Sequence, residues 1–197
     1  MPNYRRRYVP GGTYFFTAVT HERRQLFLHE SARRLLRCAI ETVQESYPFH
    51  MFAVCLLPDH LHCVWTLPEG DTNYSMRWRR IKDEFTTQWV ARRGEEGIRS
   101  ESRLAKKERG IWQRRYWEHA VVDEDDLKRC VDYIHWNPRK HGLVENVKDW
   151  TWSSFHRFVA AGEYEADWGR ANPTPDWDDP EWGGVRKRDR RRMGQGA

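Results

Sequence analysis

The chain has 197 residues and a net charge of +5, with 39% hydrophobic and 32% charged residues. That is enough for one domain with tails or two small ones. No apolar run approaches the ~20 residues of a membrane span, and the first residues lack the apolar stretch of a secretory signal. The four cysteines stand singly, so an intracellular chain with reduced thiols is expected.

The elements follow in chain order. GGTYFFTAVT, 11–20, opens on glycine and is rich in Thr, Val and aromatics, which predicts a strand. Residues 31–47 carry Leu35, Leu36, Ala39, Ile40 and Val43 at helical spacing, with Ser31 as N-cap and Pro48 as stop. Two strands are expected at 49–58 and 60–68. They are joined at Pro58-Asp59 as an antiparallel hairpin. Residues 72–93 form a helix whose apolar stripe is Trp78, Ile81, Phe85 and Trp89. Its other positions include Arg77, Arg79, Arg80 and Lys82. The polar stretch 94–110, bounded by glycines, is a loop, and 111–123 is a fourth strand. A helix with an acidic first turn spans 123–137 and ends before Pro138. The aromatic segment 148–159 packs back on the sheet, and from about Gly162 the chain reads as an extended or disordered tail. The order strand, helix, strand, strand, helix, strand is the ferredoxin-like split β-α-β pattern. The expectation is an α+β domain over 13–160 with an antiparallel sheet and its helices on one face. A basic arm at 1–12 precedes it, and a polar, basic tail at 161–197 follows.

Charge is clustered at RRR, 5–7, and VRKRDRRR, 185–192, and the chain holds eleven tryptophans. Basic clusters among aromatics suit a polyanion with stackable bases. Solvated tails would also account for them.

The chemistry centres on LLPDHLHCVWTL, 56–67. Residues two apart on a strand point to one face, so His60 and His62 project together and form a natural pair of metal ligands. Hydrogen-bonded histidines are the plainer reading of such a pair. Cys55 and Cys63 lie close in sequence, but Cys63 should face away from His62, which disfavours zinc. On the later helix, Tyr133 and Asn137 are four apart and share a face. The Asn carbonyl is a third ligand of the kind Mg2+ or Mn2+ accepts, and the Tyr phenol is a candidate nucleophile. Taken singly, Tyr133 could equally be a packing aromatic and Asn137 a helix-end residue. His119 lies on the fourth strand, where packing is one reading of it. His135 faces another side of the helix from Tyr133 and fits core or surface.

Together, His60-Leu61-His62 on a strand and VDYIHWNPRKHGLV, 131–144, on a helix resemble the HUH single-strand nucleases with one tyrosine. NYRRRYVPGGTYFFT, IWQRRYWEHAVVD and DWTWSSFHR extend the likeness to the REP-associated tyrosine transposases, in the expected order over roughly residues 3–158. The 94–110 loop is longer than in compact members.

That resemblance implies an HUH nuclease type of fold and a metal-dependent single-stranded DNA endonuclease and strand transferase. Tyr133 would form a 5′-phosphotyrosine, and His60, His62 and Asn137 would hold Mg2+ or Mn2+. The partner would be a REP-type palindromic hairpin with a 5′ guide tetranucleotide. The residues to grip it would be Asn3, Arg5, Arg6, Arg7, Arg77, Arg79, Arg80, Lys82, His119, Arg139 and Lys140. The protein would act in the cytoplasm at the nucleoid, as a monomer, with a dimer left open. The alternative is a catalytically silent ferredoxin-like module that binds structured DNA or RNA.

Overall fold

The computed structural model describes residues 6–170. The expected DNA contacts of Asn3 and Arg5, and the tail beyond residue 170, lie outside the described residues. The strands are β1 (Thr13–Val19), β2 (His50–Leu56), β3 (His60–Thr66) and β4 (Trp117–Ala120). They form one antiparallel sheet in the order β2-β3-β1-β4. The helices are α1 (Glu30–Ser46), α2 (Tyr74–Ala91), α3 (Glu101–Ala105), α4 (Glu124–Lys140) and α5 (Phe155–Ala160).

Alternation along the strands builds two cores. Tyr14, Phe16 and Ala18 of β1 and Leu61, Cys63 and Trp65 of β3 pack with Leu35, Leu36 and Ala39 of α1 and Trp78, Ile81 and Phe85 of α2. Phe15, Ala53, Cys55 and Val64 point the other way and pack with Cys130, Val131, Tyr133 and Ile134 of α4. The expectation of helices on one face therefore holds for α1 and α2 and fails for α4. The reason is visible in β3, where six consecutive residues from His60 to Trp65 are all buried. A strand buried on both faces needs cover on both.

Local departures have equally plain causes. Ser31 is not the N-cap of α1, which starts at Glu30 behind His29. The 3₁₀ turn Leu26–Leu28 feeds the helix two positions earlier, and Arg33 caps that turn by donating to Phe27 O and Leu28 O, both at 2.8 Å. α4 runs past Pro138 to Lys140. The proline sits in the last turn, where a missing N–H removes a single helical bond. The 94–110 stretch is not wholly loop. It carries α3, and its two ends meet where Gly97 N donates to Gly110 O at 3.2 Å. A Cβ on Gly97 would stand 2.5 Å from that oxygen, so only glycine fits there. The strand expected over 111–123 is regular only at β4. Residues 163–170, expected in the tail, instead pack back, with Tyr164 against Phe155 and Phe158 and Trp168 against Tyr164.

His135 of α4 is a core residue. It is fully buried, with Nε2 2.8 Å from Ser154 Oγ and its ring against Phe155, Phe158 and Tyr164. Burial, aided by the charge of Arg157, pushes its pKa down to about 3. The unfolded chain binds a proton near pH ~6.5 that the folded chain refuses. Stability is therefore expected to fall by up to ~1.4 kcal/mol per pH unit as pH drops below ~6.5. Melting curves from pH 7 to 5 test this: His135→Asn should flatten the trend, and an unchanged slope would refute the assignment.

Candidate active site

His60 and His62 lie on the α4 side of the sheet, opposite Val19 and Thr17 of β1 in the strand register. Their rings are 4.7 Å apart, and both are buried to within 1%. Each is oriented at Nδ1. His60 Nδ1 donates to Asp59 Oδ1 at 2.5 Å, and Thr17 Oγ1 lies 2.9 Å from His62 Nδ1. Such bonds fix ring orientation and select Nε2 as the ligating atom. Burial alone would raise the Asp59 carboxyl, but the hydrogen bond and charge of His60, with Arg23, hold it below the usual carboxylate range. From the sequence Asp59 could position the histidines or simply form the turn, with the turn favoured; its bond to His60 Nδ1 gives it the first role as well.

α4 supplies the facing side. The His62 ring is 5.3 Å from Tyr133, and the His60 ring is 5.4 Å from His141 at the helix end. Tyr133, Asn137 and His141 follow at four-residue spacing, so Asn137 falls between the two histidine contacts on one helical stripe. Its amide is fully buried, and neither Oδ1 nor Nδ2 has a hydrogen-bond partner among the described residues. A buried amide left in that state costs ~1–3 kcal/mol. Two imidazoles and an unsatisfied amide oxygen are a donor set that fits Mg2+ or Mn2+.

Tyr133 itself is 3% exposed. Phe15 meets its ring edge-on at 5.8 Å, and Trp117 braces Phe15 at 5.5 Å. Lys140, two helical turns on, donates to the Tyr133 hydroxyl at 3.0 Å. Sequence reading gave Lys140 a phosphate-gripping role. Its seven-residue spacing from Tyr133 was the signal for this second contact. Arg139 turns elsewhere and donates to Gly169 O and Arg170 O.

The remaining expected DNA residues separate. Arg77 is corrected: it is 2% exposed, and its guanidinium is consumed by Tyr47 O, Pro48 O, Asn73 O and the Asp71 carboxylate. It ties α2 to the end of α1. Arg80 lies over the Tyr47 ring at 4.5 Å, away from its helix neighbours Arg79 and Lys82. Arg7 is exposed. His119 pairs with Asp126 at 2.7 Å, which clamps β4 to the start of α4. With Cys130 these form a His/Asp/Cys group, its ligand atoms within 4.8 Å of one another, apart from the His60–His62 pair. Burial raises the Cys130 thiol and holds it protonated. Cys63 faces the opposite core from His62, as alternation required.

On that opposite face lies a cleft of about 600 Å³ between α2 and residues 103–116. Arg6, Arg79, Lys82, Arg103 and Arg114 line it together with Trp112 and Tyr116. Arg6 donates to Ser75 Oγ at 2.7 Å and to Tyr116 OH at 3.0 Å, and pairs with Glu118. Lys82 Nζ lies 5.6 and 5.4 Å from the Trp112 and Tyr116 ring centres. Burial, with Arg6 nearby, pushes its pKa down to about 8. β4 divides the two regions, with Tyr116 packed on one side and Trp117 on the other.

Residues 8–137 match the family described as Transposase IS200 like. A REP-associated tyrosine transposase of Escherichia coli is 45% identical over 168 residues, 85% of this chain and 91% of that protein. A Haemophilus influenzae protein named for the same REP-associated tyrosine transposases is 46% identical over 173 residues, 88% of this chain and 96% of its own length. A solved structure of a REP-associated tyrosine transposase bound to a REP hairpin aligns with a TM-score of 0.70 at 44% identity. That alignment covers 85% of this chain and 91% of the other.

Proposed function

The chain belongs to the IS200-like transposases, and from that premise we propose that it cleaves and rejoins single-stranded DNA at REP-type hairpins through Tyr133. The observation that carries the reading is the Tyr133 ring packed on His62, with its hydroxyl held by Lys140. The Tyr133 oxygen attacks the scissile phosphorus, and the bond to the 3′ oxygen breaks. A 5′-phosphotyrosine and a free 3′-hydroxyl result, and the covalent link keeps the bond energy for rejoining. A free phenol has a pKa near ~10, so the Lys140 ammonium matters: it stabilises the phenolate as the proton leaves. Phe15, braced by Trp117, fixes the ring.

His60, His62 and Asn137 would hold Mg2+ or Mn2+, which supplies Lewis-acid polarisation of the scissile phosphate. Asp59 and Thr17 keep both imidazoles in register for it. The cleft across β4 offers phosphate contacts from Arg6, Arg79, Lys82 and Arg114 and stacking surface on Tyr116. It would hold the hairpin foot and its guide tetranucleotide, while Arg7, Arg80 and His119 lie further out on the path. In this reading residues 13–160 form the catalytic domain. The 1–12 arm and the 161–197 tail flank it, and the protein acts as a monomer at the nucleoid. No helix of the described residues is long and apolar enough to cross a membrane.

The test is a labelled single-stranded hairpin from repeats near the gene, incubated with and without Mn2+. An ion-dependent protein–DNA adduct on a denaturing gel is expected. Binding without adduct or cleavage under any divalent ion would leave only the silent binding module. A second measurement probes the cleft. Lys82 is charged below pH ~8 and neutral above it, so hairpin affinity at fixed salt should weaken several-fold from pH 7 to 9. Lys82→Met should bind more weakly at pH 7 and lose most of the pH trend. An equal trend in the variant would remove Lys82 from the interface.

A further inference from the structure

The turn between β1 and α1 holds an arrangement that the tyrosine chemistry does not account for. Glu22 and Arg23, neither of them glycine, adopt left-handed backbone at φ 56° and 51°. Such strain persists only where the surroundings over-determine it, and it often marks a functional position. Here three contacts of the turn converge on Asp59. Thr20 N donates to Asp59 O at 2.9 Å, and the Thr20 hydroxyl lies 2.9 Å from that same oxygen and 2.7 Å from Arg24 O. The strained Arg23 then donates from Nη1 to Asp59 Oδ2 at 3.1 Å, while Asp59 Oδ1 accepts the hydrogen bond from His60 Nδ1 at 2.5 Å.

The two carboxylate oxygens are thus used on opposite sides, one by Arg23 and one by His60. We infer that Arg23 is a positioning residue of the active site: it holds the Asp59 carboxylate so that His60 keeps its proton on Nδ1 and presents Nε2. A carboxylate held only by the histidine could rotate about its Cβ–Cγ bond and release the ring. A guanidinium on the second oxygen blocks that rotation. Partners behind a ligand of this kind are worth roughly tenfold to a hundredfold in metal affinity. The same turn is tied to the cleft wall. His21 Nε2 donates to Ile98 O at 3.1 Å, Arg103 donates to His21 Nδ1 at 3.1 Å, and Arg24 pairs with Glu95. Arg23 therefore stands on a turn braced from both sides, which explains how its strained backbone is kept.

The consequence for metal rests on the proposed function, whereas the geometry at His60 does not, so the two are measured separately. Arg23→Gly removes the guanidinium and relaxes the left-handed backbone, which protects the fold. Arg23→Lys keeps a cation at the position. In the protein without added metal, long-range proton–nitrogen NMR should report His60 as the Nδ1–H tautomer. Arg23→Gly should give a tautomer mixture, which Arg23→Lys partly restores. Mn2+ titration followed by electron paramagnetic resonance should show affinity weakened roughly tenfold in Arg23→Gly, with hairpin affinity unchanged. Cleavage should recover at high Mn2+, because the defect lies in holding the ion. A wild-type tautomer in Arg23→Gly overturns the inference, even if Mn2+ binds. A tautomer change in a protein whose wild type shows no His60-dependent Mn2+ binding upholds the positioning role and sinks the metal reading instead.

Discussion

Tyr133→Phe is expected to abolish the protein–DNA adduct and to lower strand cleavage by on the order of 10⁴ or more, while hairpin binding survives. The chemical reason is direct: the substitution deletes the oxygen proposed to attack and nothing else of size. The phenyl ring retains its edge contacts with Phe15 and His62, each between 5 and 6 Å. One hydrogen bond from Lys140 is lost, and Lys140 is exposed enough to take water in its place. A net hydrogen bond is worth ~0.5–1.5 kcal/mol, so the melting temperature should fall by only a few degrees. The cleft residues sit on the other face of the sheet, which is why affinity for the hairpin should be preserved. The measurement is a denaturing gel for the adduct beside a native gel shift on the same oligonucleotide. An adduct that persists in Tyr133→Phe would assign the nucleophile to another residue.

How much of this was legible in the sequence depends on the range of the interaction that decides each point. Period-2 alternation fixes the face of a strand residue, so the shared side of His60 and His62 and the opposite facing of Cys63 could be read directly. Period 3.6 placed Tyr133 and Asn137 on one stripe for the same reason. What alternation cannot give is which helix covers which face. α4 was expected beside α1 and α2, and only the unbroken burial of β3 hints that a second layer is required. Arg77 shows the limit of reading charge. Its three basic companions on α2 are Arg79, Arg80 and Lys82, and nothing local marks it as the one whose guanidinium caps Tyr47 O and Pro48 O about thirty residues away. The link from Arg23 to Asp59 was invisible for a related reason: the strained turn that makes it is set by tertiary bonds and carries no glycine to announce it.

Asn137→Leu should make the protein more stable and inactive, and that pairing is what separates a ligand from a packing residue. The side chain has no exposure, and its amide oxygen and nitrogen lack hydrogen-bond partners among the described residues. Burying two polar atoms in that state is unfavourable by ~1–3 kcal/mol, and an apolar group of similar volume removes the penalty while keeping contact. For a residue whose task is structural, evolution has no reason to bear such a cost, whereas active sites commonly trade stability for function. The expected result without added metal is a melting temperature higher by several degrees in Asn137→Leu. Mn2+, which should raise the melting temperature of the wild type by binding the folded state, should have little effect on the variant. Adduct formation should fall as far as in Tyr133→Phe, although Tyr133 and Lys140 remain in place. If Asn137→Leu instead lowers stability and still responds to Mn2+, the amide has partners that matter to the fold, and the ion is held by other atoms.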